Sequence, residues 1–400
     1  MINIEGVNFK REISPRLLTD LQNGKSFLLL GPRQTGKTTL LEEIVSQLPE
    51  EKCLKFYFQL PSVRERVESD GESIVREVEA RLSEQPLFLF IDEIQKIPKV
   101  MDVLQFLLDK KKIILAATGS SARKMKTLGT NWLPGRIRLE YLFPLNWKES
   151  GLLELSQRLD EQLLYGSLPG ILSQPENTDR EKDLAAYTHL YLEEEIRLEA
   201  LTRNMPRFAK FLRLAAFESG SAPNLSKIGQ TVGLSHTSIR EYYQILEDTL
   251  ILHRLDAFGS KRDAVLRTPR YYFFDLGVRN AAANIGHSPG ILTLQRGLLF
   301  EHQVILEVIA QFKQQGQFYY YRTKQGQEVD LILEMKGKRL AFEIKSTDRP
   351  NSTDFAGLEV FCKKYKGSKG YLVCQIQKRE QFGSFLALPW FELPKVLAEI

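Results

Sequence analysis

Short apolar runs alternate with stretches of helical periodicity over the first third of the chain. Runs at 27–30, 53–60, 87–91 and 113–117 read as strands. Between them, 12–23 places Leu17, Leu18 and Leu21 on one side, and 72–83 repeats Ile74, Val75, Val78 and Leu82 at helical spacing. A further helix is expected over 38–47. Strands alternating with helices predict a parallel sheet covered on both faces. The run at 87–91 has no polar member, as suits a strand buried on both sides.

Past position 150 the pattern turns helical. A helix is expected at 160–172, and 181–200 reads as a long one carrying Leu184, Tyr187, Leu190, Tyr191 and Ile196. Its acidic run at 193–195 reads as a solvated face. A helix at 206–219 has Pro206 near its first turn. Asn224 or Ser226 is placed to cap a short helix holding Ile228 and Val232. Gly233 breaks it, and Ser235 is placed to cap a second helix at 236–247. Helix, glycine turn and helix at this spacing make a helix-turn-helix, and the strand-like stretch 250–255 suggests its winged variant. The remainder predicts a helix at 294–313, a strand at 318–323 and a hairpin of 329–333 with 340–344 about Lys336-Gly337-Lys338. A helix at 352–365 and a strand at 370–376 follow.

Composition adds little. The chain has 400 residues, 43% hydrophobic and 26% charged, which suits two or three globular domains. A net charge of +5 permits nucleic-acid contact without arguing for it. Cys53, Cys362 and Cys374 are too dispersed for a zinc site and too few for a disulfide scaffold, so a reducing, cytoplasmic setting is expected. The first residues lack the apolar core of a signal peptide, and no apolar run approaches the roughly 20 residues of a membrane span.

The chemistry starts where the first strand ends. FLLLGPRQTGKTT, 27–39, contains Gly31-Pro32-Arg33-Gln34-Thr35-Gly36-Lys37-Thr38, which satisfies G-x-x-x-x-G-K-[ST] at every fixed position, with Thr39 following. Glycines let successive N–H groups face phosphates, Lys37 reaches the β- and γ-phosphates of ATP, and Thr38 can bind Mg²⁺. The run at 87–91 ends in Asp92-Glu93, at the carboxyl end of a parallel strand where ligands bind. Asp92 is placed to hold Mg²⁺ through water, and Glu93 to polarise the attacking water. The fourth strand ends in Thr118-Gly119-Ser120-Ser121. Ser120 there either senses the γ-phosphate or simply turns the chain. Arg136 has two readings: stabilising transferred charge in the site of a neighbouring copy, or forming a structural ion pair.

The order GPRQTGKTT, LFLFIDE, TGSS, then GR and PL resembles an AAA-type ATPase of a bacterial and archaeal group. YGSLPG (165–170) resembles the Gly-Pro turn that follows the ATPase there, although Ser167 stands where a second glycine is common. RYYFFDLGVRNA (270–281) resembles a later signature of the group. The resemblance covers nearly the whole chain. It implies ATP and Mg²⁺ as ligands and homo-oligomers as one form of partnership.

The C-terminal hairpin carries Asp330 on its first strand and Glu343 and Lys345 two apart on its second, facing one way. This resembles the PD-(D/E)XK nuclease core, with Glu301 as the upstream helical acid. Glu328-Val329 precedes Asp330, so the leading proline of that pattern is missing. Asp330, Glu343 and Glu301 are a candidate Mg²⁺ shell, and Lys345 is placed to orient or deprotonate water. The bland alternative is a surface Glu-x-Lys on an amphipathic strand. DNA contact, if made, falls to His236, Thr237, Ser238 and Arg240 on the second helix's leading turns, aided by Lys261, Arg262, Arg267 and Arg270. Lys363, Lys364, Lys366 and Lys369 form a basic stretch that either meets a nucleic-acid backbone or is solvated.

The expected fold class is α/β. An AAA-type P-loop parallel sheet with helices on both faces occupies 1–150. A helical lid (151–204) and a winged helix-turn-helix (205–285) follow, then a small α/β restriction-endonuclease-like domain (286–400). The function this implies is an ATPase coupled to nucleic-acid binding or processing; the alternative is a nucleotide-gated DNA- or protein-binding switch that does not cleave.

Overall fold

The computed structural model describes residues 9–82, 84–120, 135–153, 158–192, 204–259 and 268–399. The acidic run at 193–195, Ser121, and Lys261, Arg262 and Arg267 of the basic group lie outside the described residues. The chain forms two compact units, Met1–Leu145 with Asp248–Ile251, and Asn146–Glu247 with Leu252–Ile400.

The first unit is built on five parallel strands: β1 Ser26–Leu30, β2 Cys53–Tyr57, β3 Leu87–Asp92, β4 Ile113–Gly119 and β5 Ile137–Tyr141. Their order is β2-β3-β4-β1-β5. Period two sorts the side chains between two cores. Leu28, Leu30, Leu89, Ile91 and Leu115 join Val67, Val78 and Leu104 from helices Pro61–Ser69, Ser73–Arg81 and Val100–Asp109. Phe27, Leu29, Phe90 and Ala116 pack with Leu17, Leu21, Leu40 and Ile44 from helices Ser14–Gln22 and Lys37–Val45. Helices thus cover both faces, as the alternation predicts. The sequence pattern ran the second strand to 60, but β2 stops at Tyr57 because Pro61 opens a helix at its first position.

Registers Leu30↔Gly119 and Ile91↔Ala117 bring the carboxyl ends of β1, β4 and β3 into one row.

The second unit opens with helices Leu159–Tyr165, Pro169–Leu172 and Asn177–Ala186, the last continuing as a π-turn at Tyr187–Leu192. Helices Met205–Phe217, Leu225–Val232 and His236–Asp248 follow. Asn224 caps the second of these through Lys227 N–H, Gly233 ends it at φ 75°, and the Ser235 hydroxyl accepts from Ser238 N–H at 3.1 Å to open the third.

An eight-stranded mixed sheet completes the unit: β6 Leu252–Ala257, β7 Arg270–Phe273, β8 Gln317–Arg322, β9 Glu328–Met335, β10 Lys338–Ile344, β11 Lys369–Cys374, β12 Glu380–Phe382 and β13 Phe385–Pro389. Its order is β12-β13-β11-β10-β9-β8-β6-β7. The hairpin β6–β7 pairs through Asp256 and Ala257 with Tyr319 and Tyr320 of β8, so one sheet runs across position 285. The long helix Gly290–Phe312 buries Leu299, Val304 and Ile305. Helix Ala356–Lys364 sets Leu358 and Phe361 against Ile332, Ala341 and Leu372.

Candidate functional site

The loop after β1 is shaped by two left-handed residues, Gln34 at φ 62° and Gly36 at φ 88°. Gly36 stands at the N-cap of Lys37–Val45, whose first-turn N–H groups have no helical carbonyl to reach. Lys37 is buried, and its ammonium donates to the carbonyls of Gly31 at 2.9 Å and Pro32 at 2.8 Å, folding the lysine over its own loop. The Thr35 hydroxyl donates to Pro32 O at 2.9 Å. Arg33 is half-buried, and Gln34 and Thr39 are exposed. The buried Arg11 ties this loop to the chain after β5, donating to Thr35 O at 3.2 Å and Phe143 O at 2.6 Å.

The row of strand ends sets two acids apart. Thr38 Oγ1 stands 3.1 Å from both carboxylate oxygens of Asp92, Thr118 donates to Asp92 Oδ1 at 2.5 Å, and Gln59 Nε2 donates to Oδ2 at 2.8 Å. Burial raises the Asp92 pKa against these donors, and the neighbouring Glu93 charge adds to the rise. The Glu93 backbone is left-handed, φ 61° and ψ 49°, and its N–H donates to Thr118 Oγ1 at 3.0 Å. Its carboxylate accepts from Gln95 Nε2 and, at 3.3 Å, from the Ser120 hydroxyl. Lys37, Thr38, Asp92, Glu93 and Ser120 therefore meet at the carboxyl end of the sheet.

Arg136 does not join them. It precedes β5, at the amino ends of strands whose carboxyl ends carry the loop, and it is paired with Asp109. Three neighbours of the site lack a sequence signal: Gln59 and Arg11 reach it through strand order and loop closure, and Gln95 through the turn after Glu93. Thr118 sits inside a stretch already of interest, Thr118 to Ser121.

The C-terminal acids occupy facing strands. Continuing the register one step past Phe342↔Leu331 sets Glu343 opposite Asp330. Asp330 Oδ2 accepts from Ile344 N–H at 2.8 Å, and Glu343 Oε1 from Lys345 Nζ at 2.5 Å. Glu343 Oε2 is buried with no hydrogen-bond partner. Burial, then the Asp330 charge, pushes Glu343 well above the usual carboxylate range, and burial raises Asp330 as well. Lys345 is driven up although burial opposes it, because Asp330 and Glu343 hold its charge.

Glu301 Oε1 accepts from the Tyr272 hydroxyl at 2.9 Å and lies 3.8 Å from Arg270. Arg270 also pairs with Glu328 and stacks 4.6 Å over the Tyr320 ring, which ties it into the sheet and not to a nucleic-acid surface. Among the described residues no three carboxylate, histidine or cysteine side chains are grouped to hold a metal ion. Burial, and then the nearby Asp330 charge, push Glu301 up to about 8, while Arg270 and Tyr272 engage its carboxylate.

At the helix pair Leu225–Val232 and His236–Asp248, an open cleft of about 630 Å³ is lined by Arg207, Ser226, Gln230, Ser235, His236 and Ser238. His236, Thr237 and Arg240 are exposed on the leading turns and Ser238 is half-buried. No helix among the described residues is long and apolar enough to cross a membrane.

Family models match three successive stretches of the chain. A family model described as an AAA domain covers residues 23–151. Two models described as domains of unknown function, DUF8612 and DUF4143, cover 156–288 and 296–393. The chain therefore carries a P-loop AAA domain, which implies nucleotide binding, followed by two domains of unknown function. An uncharacterized protein of Mycobacterium tuberculosis is 28% identical over 352 residues, 86% of this chain and 75% of the relative. One of Methanocaldococcus jannaschii is 24% identical over 417 residues, covering 92% and 85%. Among solved structures, the Aeropyrum pernix ORC1 protein in complex with DNA is 18% identical with a TM-score of 0.31, covering 72% of this chain and 95% of that one. AMPPCP-bound DnaA from Aquifex aeolicus is 13% identical with a TM-score of 0.33, covering 60% and 89%. Likeness at that level says nothing of what this chain binds.

Proposed function

We propose that the protein is a Mg²⁺-dependent ATP hydrolase whose second unit contacts nucleic acid. The observation that carries the first half is the junction of Thr38 with Asp92, beside Lys37 and Glu93. A hydroxyl and a buried carboxylate 3.1 Å apart form the all-oxygen donor set that suits Mg²⁺. Thr38 and Asp92 would hold the ion, which supplies charge neutralisation on the transferred phosphoryl group. Lys37 exchanges its loop carbonyls for the β- and γ-phosphates. Glu93 accepts the proton of the attacking water as it adds to the γ-phosphorus, and ADP leaves.

Steady-state hydrolysis and binding of a fluorescent ATP analogue test this. Lys37→Ala should lose nucleotide affinity by tenfold or more, in the way of a removed charge-assisted contact (about 1.4 kcal/mol per decade). Glu93→Gln should keep affinity and lose turnover by about 100-fold or more. Normal hydrolysis by both variants would sink the assignment.

The second half is supported by the exposed polar turns of a helix-turn-helix, which the β6–β7 hairpin would make a winged helix. Arg207 and Arg240 can meet phosphates while His236, Thr237 and Ser238 face base edges. A further reading, that the C-terminal sheet cleaves its nucleic acid, is favoured by one observation. Glu343 Oε2 is buried without a partner on the residue that stands opposite Asp330, and such a pair can take a hard cation. Asp330 and Glu343 would hold it, and Lys345 would position water.

A further inference from the structure

Gln95 follows the acidic pair on a short 3-10 turn, Ile94–Lys96, and is buried. The left-handed backbone at Glu93 reverses the chain so that this glutamine returns over the glutamate's own carboxylate. That conformation is uncommon for a residue with a side chain, and it persists only where the surroundings enforce it. The Gln95 amide nitrogen donates to Glu93 Oε2 and, at 2.8 Å, to Ser120 Oγ. Ser120 in turn donates to the same Glu93 oxygen at 3.3 Å. Three side chains from two strand ends thus close a ring on one carboxylate oxygen.

The other end of the amide is costly. Gln95 Oε1 is buried without a hydrogen-bond partner, and it lies so near Gly119 that a Cβ there would stand 3.1 Å away. A glutamine that only filled space would be replaced without loss by leucine, which leaves no buried acceptor unpaired. The unpaired oxygen is accepted so that the nitrogen can face Glu93.

We infer that Gln95 is a positioning residue for ATP hydrolysis, holding the Glu93 carboxylate in register with Ser120. The inference rests on the proposed hydrolysis and deepens it. Ser120 stands at the end of β4, between the strands that carry the phosphate loop and the acids. A group there that responds to the γ-phosphate shares its hydrogen bonds with Gln95 and Glu93. Gln95 therefore links phosphate occupancy to the orientation of the carboxylate that accepts water's proton, without touching the nucleotide.

The test uses the full chain and ATP with Mg²⁺, comparing wild type, Gln95→Leu, Gln95→Glu and the double variant Glu93→Gln with Gln95→Leu. Gln95→Leu should lower kcat on the order of 10- to 100-fold while analogue affinity stays within about twofold and Tm does not fall. Gln95→Glu, which sets a like charge against Glu93, should lose at least as much turnover. In single turnover the leucine change should cost nothing further once Glu93 is glutamine, because the two act as one unit. Unchanged kcat in Gln95→Leu overturns the inference. So does a fall in kcat that comes with equal losses of affinity and Tm, which marks a structural group. Absence of hydrolysis by the wild type with analogue binding intact would instead overturn the hydrolase reading and this one with it.

Discussion

Asp275 has 1% of its surface exposed, and its carboxylate accepts from Ser167 N–H at 2.6 Å and Val278 N–H at 3.0 Å. Only the backbone N–H of Ser167 is used, so the bond does not depend on which side chain stands there. Burial pushes the carboxyl from 3.8 up to about 6, against the lowering effect of these backbone donors. The folded chain therefore holds a proton that the unfolded chain releases between these two values. Stability contributed here is present below about pH 4, falls as pH rises through the window, and is fully lost above about pH 6. At 1.36 kcal/mol per pKa unit the loss is about 3 kcal/mol. Denaturant midpoints measured between about pH 4 and pH 7 should decline more steeply for wild type than for Asp275→Asn, which cannot ionise. Parallel curves would mean that Asp275 keeps its charge when folded.

At the scale of elements, the two signature stretches prove to be one joint. Helix Leu276–Ala283, capped by Asp275, packs on helix Leu159–Tyr165, and Asn280 Nδ2 donates to Leu163 O at 3.1 Å and Leu164 O at 2.9 Å. The ring of His287 stacks on Tyr165 with centroids 5.3 Å apart. Gly277 is what permits the approach, since a Cβ there would lie 2.0 Å from Tyr165 O. Gly277→Ala must push the helices apart, at an expected cost of about 3 kcal/mol or more, since backbone cannot give way as a side chain can. Thermal unfolding reads this directly, and a change in Tm of under about 2 °C would show that the joint is loose.

The phosphate loop, the acidic strand end and the Asp330–Glu343 pair were legible because each depends on spacing within one strand, turn or hairpin. The contact of Gln95 with Ser120 was not, and neither was that of Thr118 with Asp92, because these pairs lie across β3 and β4, whose adjacency is a matter of sheet order. The edge strand β5 does alternate Ile137, Leu139 and Tyr141. Its polar positions disguise it: Glu140 is buried against Arg16, whose Nη1 donates at 2.8 Å. The junction of β6 with β8 joins Asp256 to Tyr319, a pairing between residues too far apart in sequence for any local pattern to announce.

For the whole molecule, the question is whether the unit that carries the nucleotide loop and the unit that carries the helix pair and the acids act on one substrate. By linkage, a nucleotide that favours a nucleic-acid-competent state must raise nucleic-acid affinity, and nucleic acid must raise nucleotide affinity by the same factor. Affinity for single- and double-stranded DNA should fall with salt, and Arg207→Ala and Arg240→Ala should each lower the logarithmic slope by about 1. A slope near zero would remove DNA as the partner. Cleavage is separable from binding. Incubating the full chain with each DNA, with Mg²⁺ or Mn²⁺ and with or without ATP, beside Glu343→Gln, asks whether the carboxylate that faces Asp330 is used. Loss of product in the variant, with DNA affinity kept, would assign cleavage to that pair. Intact DNA with both proteins, while ATP is consumed and nucleotide shifts DNA affinity, would make the second unit a nucleotide-gated binding surface. Asp330, accepting from Ile344 N–H, would then serve to hold β9 to β10, and Glu343 with Lys345 would be a structural pair and not a cutting site.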